Sequence, residues 1–196
     1  MSLLSRMEAT MTDGYEVLEG QIRECYGRVV YTHKTHEKCA DLLLGRHKLI
    51  KLSQIGLSAL VTGGILSSLL PDLQVEATAV SALLSTALLA LNSYTKDYDL
   101  GEIAQKHRQA AADIWLVRER YLSLLTDLRA GDISSEDGRK KRDALLVELH
   151  AVYTGAPSTN YKAYKNAQEA LSKLEEMTFS DDEIDAFLPK ELKRKR

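Results

Sequence analysis

The sequence predicts an all-α protein: a two-helix transmembrane hairpin continued into a cytoplasmic helical bundle. Charged residues make up 28% of the 196 residues, yet two neighbouring apolar stretches contain none. The chain has only three prolines and lacks a sustained alternating run rich in Val, Ile and Thr, so little of it suits β-strands. The segments on both sides of the apolar stretches instead repeat apolar residues every three or four positions, which is typical of amphipathic helices.

The two apolar stretches are residues 52–70 and 77–95, each 19 residues long. At about 1.5 Å per residue, each spans roughly 28 Å, the thickness of a hydrocarbon core. The intervening PDLQVE is long enough only for a tight turn. Two buried helices of a soluble bundle are the alternative, but the rest of the chain has few apolar residues to cover them. We therefore predict a transmembrane hairpin over residues 52–95.

Charges beside the spans predict the orientation. Basic residues flank the two ends that lead into the polar arms, namely Arg46, Lys48, Lys51, Lys96, Lys106 and Arg108, whereas the turn carries only Asp72 and Glu76. By the positive-inside rule both termini are cytoplasmic and the turn faces outward. The mixed, acidic N-terminus does not resemble a signal peptide. Cys25 and Cys39 then lie on the cytoplasmic side and are expected to be reduced thiols.

Polar and small residues follow separate stripes on the two spans. The predicted pore-lining or polar stripe comprises Thr78, Ser81, Ser85 and Asn92 on the second span and Gln54, Ser58 and Thr62 on the first. A small-residue stripe for helix packing comprises Gly56, Ala59, Gly63 and Ser67. The alternative is that the hydroxyl groups bond to carbonyls of their own helices, in which case the stripes serve packing within the hairpin.

The polar arms divide the rest of the chain into an N-terminal cytoplasmic arm (1–51), cytoplasmic helices (96–178) and an acidic then basic tail (179–196). A packing seam after the second span consists of Ile103, His107, Ala110, Ile114, Val117, Tyr121, Leu124 and Leu128. Its expected partner on the first arm is Leu18, Ile22, Cys25, Val29, His36, Cys39 and Leu43. We expect the two arms to pack together as a helical bundle.

Helix-breaking and helix-capping residues predict two further helices. GDISSEDG interrupts the second arm, and Ser134 with Asp137 forms a capping box that starts a new helix. After Gly155 and Pro157, a last amphipathic helix is predicted from the spacing of Tyr161, Tyr164, Ala167, Leu171 and Leu174. The charged tail fits a solvated terminus or a contact with a membrane surface or nucleic acid, and its composition alone does not choose between them.

No catalytic, cofactor-binding or metal-binding constellation is recognisable in the sequence. It lacks a phosphate-binding Gly-rich loop, a nucleophile elbow and paired cysteine motifs. His33, His36 and Cys39 suggest a metal site, but successive steps of three residues turn the ligands around the helix, and no fourth ligand is near in sequence. A partly buried helix face is the better interpretation, and we predict that the protein is not an enzyme.

The arrangement resembles the SLATT family, the two-span effector domains associated with nucleotide-signalling, SLOG and reverse-transcriptase systems in bacteria. The resemblance covers residues from about 15 to 174 and rests on HKTHEKCADLLLGRHKLIKL, the PDLQVE turn, DYDLGEIAQKHRQAAADIWLVRERYLSLL and GAPSTNYKAYKNA. The chain is similar to the subfamily found beside reverse transcriptases.

The resemblance implies a membrane effector of bacterial antiphage defence in the inner membrane, which oligomerises on activation and permeabilises the membrane, arresting or killing the infected cell. It also implies a separately encoded partner, a reverse transcriptase or a nucleotide-signalling synthase, or the product of either. The alternative is a membrane scaffold that anchors and regulates a cytoplasmic enzyme through the seam from Ile103 to Leu128.

Overall fold

The computed structural model describes residues 3–174, 176–177 and 180, with the side chains described from residue 14 onward. The predicted all-α fold is confirmed. Five α-helices follow one another: α1 (Leu3–Ser67), α2 (Gln74–Asp97), α3 (Leu100–Ala130), α4 (Ser135–Gly155) and α5 (Tyr161–Ser172). The predicted tail at 179–196 lies outside the described residues except for Ser180.

Helix α1 carries both the N-terminal arm and the first apolar span without a break. It contains no proline over its 65 residues, so no missing N–H or ring clash interrupts its hydrogen-bond ladder. The arm and the span therefore form one continuous helix.

A short turn joins the two apolar helices. The chain leaves α1 at Ser67 and passes through a 3₁₀ turn over Pro71–Leu73, where proline occupies the first position and its missing N–H costs nothing. Helix α2 follows at once, and it packs along α1 as an antiparallel hairpin. Both helices contain apolar segments that are long enough to cross a membrane and almost wholly uncovered by the rest of the chain.

The second arm, unlike the first, is separated from its span by a break. Helix α2 ends at Asp97, and the Asp99 carboxylate begins α3 by accepting hydrogen bonds from the N–H groups of Gly101 at 2.8 Å and Glu102 at 3.1 Å. These two bonds hold the pKa of Asp99 below its ordinary value. The sequence did not predict this break, after which α3 continues along α1.

The bundle core lies between α1 and α3. Seven of the eight seam residues are buried and Ile103 is half-buried. They meet Leu18, Ile22 and Val29 of α1, which are at most 2% exposed. Cys25 and Leu43 of the expected partner face are half-buried. Apolar burial along this contact joins the two arms.

Helix α4 covers the end of the bundle farthest from the hairpin. Helix α3 stops at Gly131, whose φ of 79° is readily adopted by glycine, and its N–H bonds to the Leu128 carbonyl. The predicted capping box forms, since Ser134 Oγ accepts from the Asp137 N–H at 3.1 Å. Leu145 and Leu149 of α4 then join the core.

Helix α5 packs against α1 on the half of the bundle nearer the hairpin. Its predicted apolar face is only partly confirmed. Ala167 is buried and Leu171 half-buried, but Tyr161, Tyr164 and Leu174 are exposed, and Ala163 and Ala170 complete the buried face. Small side chains allow the short helix to approach α1 closely, so the larger residues turn outward.

Candidate functional site

The two apolar helices contact each other through one face of each. The half-buried or buried positions along the middle of the spans are Gln54, Leu57, Val61 and Gly64 on α1 and Ala77, Ser81, Leu84, Leu88, Leu91 and Thr95 on α2, and Ser67 is half-buried at the end of α1. Their spacing alternates between three and four residues, as in left-handed helix pairs. The outward faces carry exposed leucines such as Leu60 and Leu83, which suit contact with lipid.

Ser81 belongs to the contact face between the spans, not to an exposed polar stripe. It is 5% exposed and faces Gly64, and its Oγ has no hydrogen-bond partner within the described part of the chain. Thr78, Ser85 and Asn92 remain exposed. The four residues predicted to share one stripe are therefore divided, because the second span turns Ser81 toward the glycine of the first.

Hydroxyl groups elsewhere on the spans bond to their own helices. Thr62 Oγ1 donates to the Ser58 carbonyl at 2.9 Å, Thr78 Oγ1 to the Gln74 carbonyl at 2.6 Å, and Ser67 Oγ to the Gly63 carbonyl at 2.9 Å. These bonds satisfy the donors in an apolar environment. Each hydroxyl oxygen can still accept a hydrogen bond, so the exposed groups keep polar character.

A polar clamp ties the spans together near the ends that lead into the bundle. Gln54 Nε2 donates to Asn92 Oδ1 at 2.8 Å and to Thr95 Oγ1 at 3.2 Å. Gln54 and Asn92 were both predicted as stripe residues, whereas Thr95 was not. A side-chain bond between helices is a usual way to fix helix pairs in lipid.

A groove of about 750 Å³ runs along one side of the hairpin. One edge is polar and includes Gln54, Ser58, Thr62 and Asn92, all of them predicted stripe residues. The other edge is apolar or small and includes Ile55, Ala59, Gly63 and Leu66 of α1 with Leu88 of α2. The groove thus collects the polar stripe of the first span and part of its small-residue stripe on one surface.

The small-residue stripe does not make the contact within the hairpin. Gly56, Ala59 and Gly63 are exposed and Ser67 is half-buried. A Cβ added at Gly56 or Gly63 would meet no atom within 4 Å. The close approach lies at Gly64, one position away. The spacing of Leu57, Val61 and Gly64 could have identified this face from the sequence.

A pair of buried histidines lies in the helical bundle. His36 Nδ1 of α1 and His107 Nδ1 of α3 are 2.9 Å apart, and the ring centroids are 5.0 Å apart. One nitrogen must donate and the other accept, so the contact requires opposite protonation of the two Nδ1 atoms. His107 was predicted for the seam and His36 for its partner face, but their direct contact was not foreseen.

Burial keeps these histidines neutral. It lowers the pKa of His36 to about 4, with the His107 and His33 rings adding to the effect, and it lowers the pKa of His107. Burial also lowers the pKa of His33, against the opposing influence of Glu37. Cys39, whose thiol pKa is raised by burial, accepts a long hydrogen bond from Asn160 Nδ2 at 3.7 Å.

Metal binding finds no support in this part of the bundle. Within residues 3–174, 176–177 and 180, no group of three or more His, Cys, Asp or Glu side chains is arranged to hold a metal ion. His33, His36 and Cys39 instead contribute to the contacts of α1 with α3 and α5.

Comparison with protein-family profiles matches residues 18–183 to the SMODS and SLOG-associating 2TM effector domain family 4. The match extends from the first arm through the hairpin and past the end of α5. No curated protein and no solved structure matches the chain.

Proposed function

The chain belongs to the SMODS and SLOG-associating two-transmembrane effector domain family 4, and from this premise we propose that it oligomerises on activation and permeabilises the bacterial inner membrane. Membership implies a membrane effector in defence systems, and the family is not a known enzyme family. Arrest or death of the phage-infected cell is the proposed outcome. The subfamily beside reverse transcriptases stays a prediction.

The groove along the hairpin is the observation that carries this proposal. Its polar edge runs from Gln54 past Ser58 to Thr62 on a surface left uncovered by the chain itself. The Gln54 amide and the Thr62 hydroxyl donate within the hairpin, but their oxygens can still accept hydrogen bonds. Polar groups facing hydrocarbon are unfavourable, so this edge favours contact with another polar surface or with water. A single hairpin cannot enclose a channel, and several copies with their grooves turned inward would give a polar lumen.

The exposed small residues beside the groove support assembly. Gly56 and Gly63 have open space where a side chain would lie, which allows a helix of another copy to approach closely. The charge-free spans argue against a charge-selective transporter, which normally carries ionisable residues at membrane depth. A pore or lesion without strong ion selectivity fits the spans best.

Activation is assigned to a separately encoded partner acting on the cytoplasmic helices. A reverse transcriptase, a nucleotide-signalling synthase, or the product of either is the proposed source of the signal. Since α1 is continuous from arm to span, a change in the packing of α1 against α3 would move the first span. The cytoplasmic placement of both arms, which follows from the flanking basic residues, makes them accessible to such a partner.

A membrane scaffold is the second candidate, but its docking surface must differ from the predicted one. The seam from Ile103 to Leu128 is occupied by α1 of the same chain. An exposed apolar surface on α3, comprising Trp115, Leu116 and Leu122, is 42–48% exposed and offers a different docking face. A scaffold acting through that surface would leave the bilayer sealed.

Dye release from reconstituted liposomes tests the proposal. The parent chain, with its activating partner or at high density, should release an encapsulated dye. The double variant Ser58→Leu with Thr62→Leu makes the groove apolar and prone to dewetting, and release should fall about tenfold or more at equal insertion. Thr86→Leu is the matched control, since Thr86 is exposed on α2 but does not line the groove.

The result separates three mechanisms. Sealed liposomes with the parent chain would favour the scaffold. Equal release by the parent and the double variant would exclude a groove-lined lumen and favour bilayer disruption. Loss of release in the double variant but not in Thr86→Leu would support the polar edge as the water path.

A further inference from the structure

A cavity of about 350 Å³ lies where the hairpin meets the bundle, between α1 and the junction of α2 with α3. Its lining includes His47 and Lys51 of α1, Lys96 and Tyr98 near the end of α2, and the amide side chains of Gln54 and Asn92. In the proposed topology this level coincides with the headgroups of the inner leaflet.

The cavity carries excess positive charge. Lys51 and Lys96 make no ion pair with any carboxylate in the described part of the chain. Asp99 is the one acidic residue in the lining, and its carboxylate already accepts the Gly101 and Glu102 N–H groups. The lining thus carries two lysine charges and one carboxylate, which is engaged in capping α3. This net positive charge suits an anion such as a phosphate ester.

The cavity is continuous with the groove of the hairpin. Lys51, Gln54 and Asn92 line both. Beyond them the apolar edge of the groove extends from Ile55 to Leu66, about 16 Å along the helix at 1.5 Å per residue. The cationic cavity thus adjoins the apolar edge of the groove, and the amides of Gln54 and Asn92 lie where the two meet.

We propose that this composite site binds an anionic phospholipid of the inner leaflet. The phosphate lies in the cavity near Lys51 and Lys96, the ester region lies beside the amides of Gln54 and Asn92, and an acyl chain lies along Ile55, Ala59 and Leu66. The absence of a side chain at Gly63 keeps the acyl position open. A soluble phosphate would fill the cavity alone and leave the apolar edge uncovered.

The proposal rests on the membrane placement of the hairpin given under the proposed function, but it does not require permeabilisation. Native mass spectrometry of the full chain in detergent, titrated with phosphatidylglycerol or phosphatidylcholine, measures lipid retention without any leakage step. The parent should retain phosphatidylglycerol at about tenfold lower lipid concentration than phosphatidylcholine. The double variant Lys51→Gln with Lys96→Gln should lose that preference.

Arg46→Gln with Lys48→Gln is the matched control, because both residues are exposed in the same basic band and neither lines the cavity. This control removes the same charge and should keep the preference. Equal losses in the two double variants would show diffuse surface attraction and overturn the site. Equal retention of the two lipids by the parent would also overturn it.

Competition with sn-glycerol 3-phosphate distinguishes the source of the phosphate. Failure of this soluble ester to displace phosphatidylglycerol at a hundredfold excess would support a lipid held partly through its acyl chain. Complete displacement at a comparable concentration would overturn the lipid and assign the cavity to a soluble phosphate ester. A chain that binds phosphatidylglycerol but leaves liposomes sealed would refute only the proposed permeabilisation.

Discussion

Gly64 of the first span lies directly against Ser81 of the second, with no room for a side-chain carbon between them. A Cβ built on Gly64 would overlap with Ser81 Oγ and lie 3.7 Å from the Ala77 carbonyl oxygen. The adjacent Gly63 has open space at the same position. Two neighbouring glycines therefore face different surroundings, one inside the hairpin and one on its outer surface.

The first prediction compares these two glycines. Gly64→Leu should destabilise the hairpin by about 1–3 kcal/mol through overpacking, which lowers the thermal midpoint by roughly 2–4 °C per kcal/mol. Gly63→Leu should leave the midpoint almost unchanged. Circular dichroism of the two variants in detergent measures the difference. Equal midpoints would show that the Gly64 contact does not limit helix separation.

The second prediction concerns assembly through the outer surface. Gly63→Leu should insert normally but fill the space beside the groove, so that crosslinked oligomers and toxicity on overexpression both decrease. Leu60→Ala, on an exposed position that does not line the groove, is the control and should retain both. Unchanged crosslinking and toxicity in Gly63→Leu would remove this glycine from the mechanism.

The third prediction addresses the clamp of Gln54 and Asn92. Hydrogen bonds between membrane helices contribute about 0.6 kcal/mol on average and up to about 1.7 kcal/mol. A double-mutant cycle of Gln54→Leu and Asn92→Leu in detergent should give a coupling energy in that range, since each single variant leaves the other amide with fewer partners. Additive effects of the two substitutions would show that the 2.8 Å contact contributes no stability.

The fourth prediction is a loss of stability in mild acid. The pKa of His36 is lowered to about 4 from an ordinary 6.5, so the folded chain keeps this ring neutral while the unfolded chain protonates it. Between about pH 4 and pH 6.5, the unfolded state therefore binds more protons than the folded state. The contribution of His36 to the free energy of unfolding is therefore fully present above pH 6.5 and is lost as the pH decreases toward 4.

Denaturant unfolding between pH 7.5 and 4.5 measures this slope. His36→Leu with His107→Leu should flatten it, because the lowered pKa values of both rings are then removed. His150→Leu is the control, since His150 lies on an exposed part of α4. A slope that persists unchanged in the double variant would assign the acid sensitivity to other groups.

The fifth prediction concerns topology. In a background of Cys25→Ser and Cys39→Ala, a cysteine at Asp72 should react with an impermeant thiol reagent in intact cells, because the basic residues beside the spans predict that the turn faces outward. A cysteine at Lys140, which is exposed on α4, should react only after the membrane is opened. The reverse labelling pattern would show that the chain is inserted the other way round.

The sequence by itself predicted the helices with long periodic signals or distinct boundaries. Charge-free stretches identified the two apolar segments, and the heptad-like seam identified α3, because apolar periodicity is a property of each helix alone. Ser134 and Asp137 located the start of α4 for the same reason, since a capping box requires only four consecutive residues. These features do not depend on distant neighbours.

Tertiary structure decided which surfaces meet. Small residues at 56, 59, 63 and 67 formed the most obvious stripe, yet Gly64 makes the close contact, because the rotation of α1 against α2 depends on packing along the whole hairpin. Similarly, α5 packs closely against α1 through its alanines, and this contact leaves its tyrosines exposed.

The histidine pair and the lysine cavity arise from the same physical cause. His36 and His107 are 71 positions apart in the sequence. Lys51 and Lys96 line one cavity only when the hairpin forms and the helix is interrupted at Asp99. Local sequence determines the character of each helix face. Which other face it packs against depends on contacts between residues that are far apart in the sequence, and these contacts exist only in the folded chain.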